Sequence, residues 1–187
     1  MPTQLTLSRM RWACLLFLAA CGGSSSGSSP DAAVPDGAPD SGGFTTCEGA
    51  CRTTNLTAAF AATRQLDRAY YGVTTAAPGN TLHVEAYRGG GAGCPTMTSP
   101  TPDYTLVLGT VPIPTSTAPS TSPGNLLDFV GDLLGGGLGA AATTVTLAPV
   151  AYDDAGGILA LDTALTFSGG TVMGHLFATH CTSLDGT

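Results

Sequence analysis

The stretch Ile158–Cys181 reads ILALDTALTFSGGTVMGHLFATHC. Its first half places Leu159, Leu161, Leu165 and Phe167 on one side of an extended chain, with Asp162 opposite. A period of two is what a half-buried β-strand requires, because successive side chains point to opposite faces of a sheet. The run then meets Ser168-Gly169-Gly170-Thr171, a turn composition, and resumes from Val172, so the stretch predicts a β-hairpin.

The same pattern recurs upstream. TLHVEAY (81–87) sets Leu82, Val84 and Ala86 on one face and His83, Glu85 and Tyr87 on the other. RGGGAGCP (88–95) follows as a loop by composition. YTLVLGTV (104–111) is ended by Pro112 and Pro114, and TTVTLAPVAY (143–152) alternates around Val145 and Leu147. Residues 55–62 and 65–74 are expected to form a second hairpin. Turn signals at this spacing argue for a mostly β chain, an antiparallel β-sandwich or barrel-like single domain, rather than βαβ units. The exception is NLLDFVGDLLGGG (125–137), where Leu126, Leu127, Val130, Leu133 and Leu134 fall at helical spacing between a capping Asn125 and a stopping Gly135. It predicts one short helix over the sheet, against a rival strand carrying Leu127, Phe129 and Leu133 inward.

The chain has 187 residues, enough for one domain with appendages, and only 10% are charged, against about 25% in an average soluble domain. Lysine is absent, and the basic residues are Arg9, Arg11, Arg52, Arg64, Arg68 and Arg88. All 13 acids lie beyond residue 30, so a chain starting at Cys21 carries a formal charge of −9 rather than −7. Phosphate backbones need a basic surface that releases counterions, so nucleic acid is excluded as a partner.

Arg9 and Arg11 precede the apolar run Trp12–Ala20, which is too short to cross about 30 Å of hydrocarbon. It reads as a secretory signal peptide. Its end, Leu18-Ala19-Ala20-Cys21, resembles the lipobox of bacterial lipoproteins, whereas Cys14 follows Arg11-Trp12-Ala13 and does not. The resemblance implies cleavage before Cys21, diacylation of that cysteine, and sorting to the outer membrane through Gly22. The membrane would then be met through the N-terminal lipid, since two or three acyl chains anchor durably where one does not. The Gly/Ser/Pro/Asp-rich residues that follow have little to bury and read as a disordered tether. The expected organisation is a signal peptide over 1–20, lipidated Cys21 and linker over 21–46, and a β domain over 47–187.

Cys47, Cys51, Cys94 and Cys181 make an even set in an exported chain and read as disulfides. Three pairings are open. Cys47–Cys51 with Cys94–Cys181 is preferred, because it joins a local pair and pins the C-terminal strand to a distant loop. A zinc site using Cys-x₃-Cys with His175 and His180 is the rival, disfavoured by its spacing and by an oxidising compartment.

No nucleophile elbow, His-Glu-x-x-His, P-loop or EF-hand pattern is present. No catalytic residue, metal or cofactor is assigned. His175 and His180 lie five apart and would face opposite sides of a regular strand. Glu85 reads as an outer-face acid with no second carboxylate supplied, and Asp153-Asp154 as a turn. Asn55-Leu56-Thr57 is a glycosylation sequon by pattern, without meaning in a bacterium. The expected protein is a lipid-anchored envelope or surface module that binds or structures a partner, an envelope protein or a glycan. A hydrolase of envelope glycans or esters is the alternative, and would need a cleft joining His83, His175 or His180 to an acid. An aromatic groove around Tyr70, Tyr71, Tyr87 and Tyr104 would instead favour carbohydrate or peptide binding.

Overall fold

The computed structural model describes Phe44 and residues 46–186. The predicted lipidation site Cys21, the signal peptide and most of the linker lie outside the described residues. Ten strands form one sheet: β1 (Asn55–Ala59), β2 (Thr63–Leu66), β3 (Arg68–Thr74), β4 (Thr81–Arg88), β5 (Tyr104–Pro112), β6 (Gly124–Asp128), β7 (Gly139–Ala141), β8 (Thr144–Asp153), β9 (Ile158–Phe167) and β10 (Gly170–His180). The protein is mostly β, and the sheet curls into a half-barrel, the barrel-like of the two expected arrangements. Helical residues are confined to 3-10 turns at Gly49–Arg52 and Thr182–Leu184 among the described residues.

The opening hairpin organises the sheet. β9 and β10 pair antiparallel from Phe167↔Gly170 to Ile158↔Thr179, and Leu159, Leu161, Leu165 and Phe167 all point into the core. Burying each such side chain stabilises the fold by about 1.5–3 kcal/mol. The far edge of β10 is shared. Its first half pairs antiparallel with β1, and Ala178–His180 pair in parallel with Ala69–Tyr71 of β3. From β3 the sheet continues through β4, β5 and β6 to β7. Off that path, β8 pairs with β9 and also meets the connection between β5 and β6 through paired backbone bonds between Ser120 and Leu147, of 2.8 and 2.9 Å.

The fork leaves no room beside Gly174, which adopts φ +135° and faces the main chain of β1. A Cβ there would overlap the Asn55 carbonyl. Gly174→Ala is therefore expected to lower stability by about 1–3 kcal/mol, read as a lower denaturation midpoint with an unchanged slope. An unchanged midpoint would show that β1 does not need this close approach.

Two expectations are corrected. Residues 65–74 do not form one arm of a hairpin: β2 pairs with β1, the chain breaks at Asp67, and β3 joins β10 and β4 instead. Residues 125–137 form neither a helix nor a strand with Leu127, Phe129 and Leu133 inward. β6 turns Leu126 and Asp128 inward and leaves Phe129 half-exposed. The cause is Asp128, which is fully buried and accepts hydrogen bonds from the backbone N–H groups of Gly131 (2.6 Å), Leu133 (2.8 Å) and Leu134 (2.8 Å). A carboxylate that organises the following turn competes with continued helix, as short polar side chains do.

Two disulfides are formed, Cys47–Cys51 and Cys94–Cys181, so these cysteines leave no thiolate for the rival zinc site. The Cys47–Cys51 loop covers the outer face of β8 and β9, where Ala151 and Ala160 are buried beside Phe177. Contacts reach back to Phe44, whose carbonyl accepts from the Tyr152 N–H at 2.8 Å.

Candidate functional site

The outer face of β3 to β6 carries two rows of side chains set by strand register. One row runs Tyr70, Glu85, Val107, and the next runs Tyr87, Thr105, Leu127. Alternation sends their neighbours Tyr71, Ala86, Leu106 and Leu126 into the core. The loop between β4 and β5 folds back over this face and forms its wall. Gly89 begins that return at φ +70°, where a Cβ would overlap the Asp103 carboxylate.

Several anchors hold the wall. The Arg68 guanidinium donates to the carbonyls of Gly89 and Gly91. The Gly93 N–H donates to the Tyr70 hydroxyl at 2.9 Å, and the Asp103 N–H donates to the Arg88 carbonyl at 2.8 Å, closing the base of the loop. Cys94 is bonded to Cys181, and the Ser183 hydroxyl donates to the Pro95 carbonyl. Between wall and sheet lies a groove of about 410 Å³, within the range of small-molecule sites.

Tyr70, Tyr87 and Phe129 supply its aromatic surface, with the Tyr70 and Tyr87 rings 6.1 Å apart and tilted by 49°. Thr96, Ser99 and Thr101 also line it, with the Thr96 and Ser99 hydroxyls 3.2 Å apart in their own turn. Glu85 is the one charged side chain lining it among the described residues. Its side chain is 20% exposed, bonded through Oε1 to His83 Nε2 at 2.8 Å and through Oε2 to the donating Tyr87 hydroxyl. On the far side of Tyr70, a shallower hollow of about 360 Å³ carries Arg52, Asp67 and Arg68.

The sequence grouped Tyr70, Tyr71, Tyr87 and Tyr104 as one surface, and the fold divides them. Tyr70 and Tyr87 line the groove, Tyr87 with only 8% exposure, while Tyr71 and Tyr104 are 0% and 3% exposed on the inner face. Tyr104 donates its hydroxyl to Asp132 Oδ1 at 2.6 Å and accepts from Arg64 Nε at 3.1 Å. Burial pushes the Tyr104 hydroxyl up, and the bond to Asp132 adds to the shift.

The histidines take three separate carboxylates. His83 pairs with Glu85, His175 Nδ1 with Asp162 Oδ1 at 2.7 Å, and His180 Nε2 with Asp185 Oδ1 at 2.9 Å. His175 also meets the Cys51 carbonyl through Nε2 at 2.9 Å, and the His180 ring lies 5.3 Å from that of Tyr71, tilted by 48°. No three His, Cys, Asp or Glu side chains converge on a metal-sized site among the described residues. Asp153 and Asp154 sit at the β8–β9 turn, closed by the Gly157 N–H on the Asp154 carbonyl at 3.2 Å. Asn55 starts β1, and Thr57 of the sequon accepts from Gln65 Nε2 at 2.8 Å.

Sequence reasoning missed Phe129 as a groove residue and the 89–102 loop as a wall. The one available signal was the outward set His83, Glu85, Tyr87, an acid flanked by two hydrogen-bonding side chains. No protein-family model, curated protein or solved structure matches the chain.

Proposed function

We propose that this chain is a carbohydrate-binding module held at the bacterial cell envelope by a lipid on Cys21. The observation that carries the binding role is the groove between β3–β6 and the disulfide-pinned 89–102 loop. A sugar presents an apolar ring face and a rim of hydroxyls. The groove offers aromatic surface for the first, and a carboxylate with threonine and serine residues in its lining for the second. The wall is anchored before any ligand arrives, so little ordering entropy is spent on binding.

The anchoring role rests on the Leu18-Ala19-Ala20-Cys21 resemblance. Its check is the intact mass of protein made in a host with lipoprotein processing, expected to begin at Cys21 with added acyl mass. A start elsewhere without lipid removes the anchor and leaves the groove untouched.

A second reading, hydrolysis of envelope glycans or esters, is favoured by the His83–Glu85 pair beside the groove. Two-carboxylate glycoside hydrolysis needs a partner acid about 5–9.5 Å away, and the groove supplies Glu85 alone. Both readings meet in one experiment, titration of the chain with defined oligosaccharides followed by analysis for cleavage products. Phe129→Ala removes a half-exposed aromatic platform and is expected to weaken sugar binding about tenfold, which is about 1.4 kcal/mol. Unchanged affinity in that variant would place the sugar elsewhere. Released reducing ends would shift the assignment to the hydrolase.

A further inference from the structure

We propose that the groove selects a protonated amine, so that its ligand is an amino sugar with free rather than acetylated nitrogen. The inference rests on the carbohydrate reading and adds the charge of the sugar. Its starting point is Glu85, the lone charged group among the described residues lining a cavity otherwise built of aromatic and aliphatic side chains, prolines, Thr, Ser and glycine.

The carboxylate is held but not saturated. Its oxygens engage His83 and Tyr87, one partner each, whereas an ionised carboxylate has about four acceptor positions. Tyr70 faces Glu85 directly across the strand pair, and Tyr87 lies two residues along the same face. Electron-rich rings beside a part-buried carboxylate are the surroundings that hold an ammonium group, and the attraction strengthens as water is excluded.

Among the described residues the lining brings no arginine or lysine, and His83 occupies Oε1 of the carboxylate alone. Arg68, whose guanidinium holds this wall, is committed to the Gly89 and Gly91 carbonyls and pairs with Asp67 at 3.6 Å. The chain as a whole is acidic, which raises the local concentration of cationic ligands. An amino sugar meets each feature with a different part: ammonium to Glu85, ring face to the aromatic side chains, and hydroxyls to Thr96, Ser99 and Thr101.

The test is calorimetric titration of the full, disulfide-intact chain at low salt with a glucosamine oligomer and with its N-acetylated counterpart of equal length. The free-amine oligomer is expected to bind at least about tenfold more tightly, with the preference shrinking as salt rises. Glu85→Gln, checked for two intact disulfides and an unchanged denaturation midpoint, is expected to abolish the preference while retaining the weaker N-acetylated binding. Equal affinity of the wild-type chain for both oligomers overturns the amine selectivity and leaves the carbohydrate reading standing. Binding of neither removes that reading and this one with it. A lysine-rich peptide of equal charge binding more tightly than the amino-sugar oligomer also overturns the assignment, by making the ligand a polypeptide.

Discussion

Asp128→Ala is expected to lower the unfolding free energy by about 3–5 kcal/mol, the larger of the single-residue effects anticipated here. Asp128 is fully buried, and its two oxygens take the N–H groups of Gly131, Leu133 and Leu134. Alanine would strand three donors in a turn that also places Leu133, 1% exposed, in the core. Each stranded donor costs about 1–3 kcal/mol, and the sum is less than additive because the turn relaxes. Asp128→Asn keeps one acceptor oxygen and is expected to lose roughly half as much. Denaturation at pH 7 with both disulfides intact checks the pair. A variant within about 1 kcal/mol of wild type would show that the carboxylate does not organise this turn.

The same residue sets an acid limit. Burial pushes its carboxyl upward, but the N–H groups of Leu134, Gly131 and Leu133 together outweigh that and hold it below the ordinary carboxylate range. A carboxyl lowered on folding contributes stability that is complete above its unfolded value, about 3.9, and is lost as pH falls through the folded value. The gap between wild type and Asp128→Ala should therefore narrow on acidification below about pH 4. Asp132, lowered by the Tyr104 hydroxyl and then Arg64, and Asp185, lowered by the Val73 N–H and then His180, act in the same sense. Both are more than a third exposed, so water screens their share.

Cys94→Ser with Cys181→Ser is the second large effect. The bridge joins residues 87 apart, and releasing a loop of that size costs about 4–5 kcal/mol in the chain-entropy account. Cys47–Cys51 spans a separation of 4, worth about 2 kcal/mol on the same scale. Selective loss of the long bridge should therefore lower the denaturation midpoint about twice as much as loss of the short one. It should also cost ligand affinity, because Cys94 anchors the groove wall to the end of β10, leaving Arg68, Tyr70 and Ser183 to hold the loop. Equal midpoints for the two double variants would contradict the loop-length argument. Unchanged hydrogen exchange over 89–102 in the Cys94/Cys181 variant would show that the wall does not depend on the bridge.

Much of the strand content was legible because alternation is a local property. Leu82, Val84 and Ala86 face the core and His83 and Glu85 face out, as the bare pattern of TLHVEAY required. Residues 125–137 misled for an equally local reason. Five apolar residues at helical spacing ordinarily outweigh one Asp, and nothing in the pattern shows that Asp128 is the buried member whose oxygens gather the next turn. The tyrosines were legible as a set but not as a surface, since Tyr70 and Tyr71 are adjacent and must part to opposite faces once a strand forms.

What the sequence determined alone is the β class, the faces of β4 and β9, the net acidic charge, and an even set of cysteines beyond residue 46. Each follows from neighbours within a few residues or from composition, where the physics of pleat and charge needs no knowledge of distant contacts. The tertiary structure alone decided that β10 is shared between β1 and β3, that Cys94 reaches Cys181, and that Phe129 meets Glu85 and Tyr70 across a groove. Those choices are made by burial and register between segments far apart in the chain. Several strand registers satisfy the local pattern equally, and the disulfide pairing that the sequence preferred among three is the one that the packing of the curled sheet brings together.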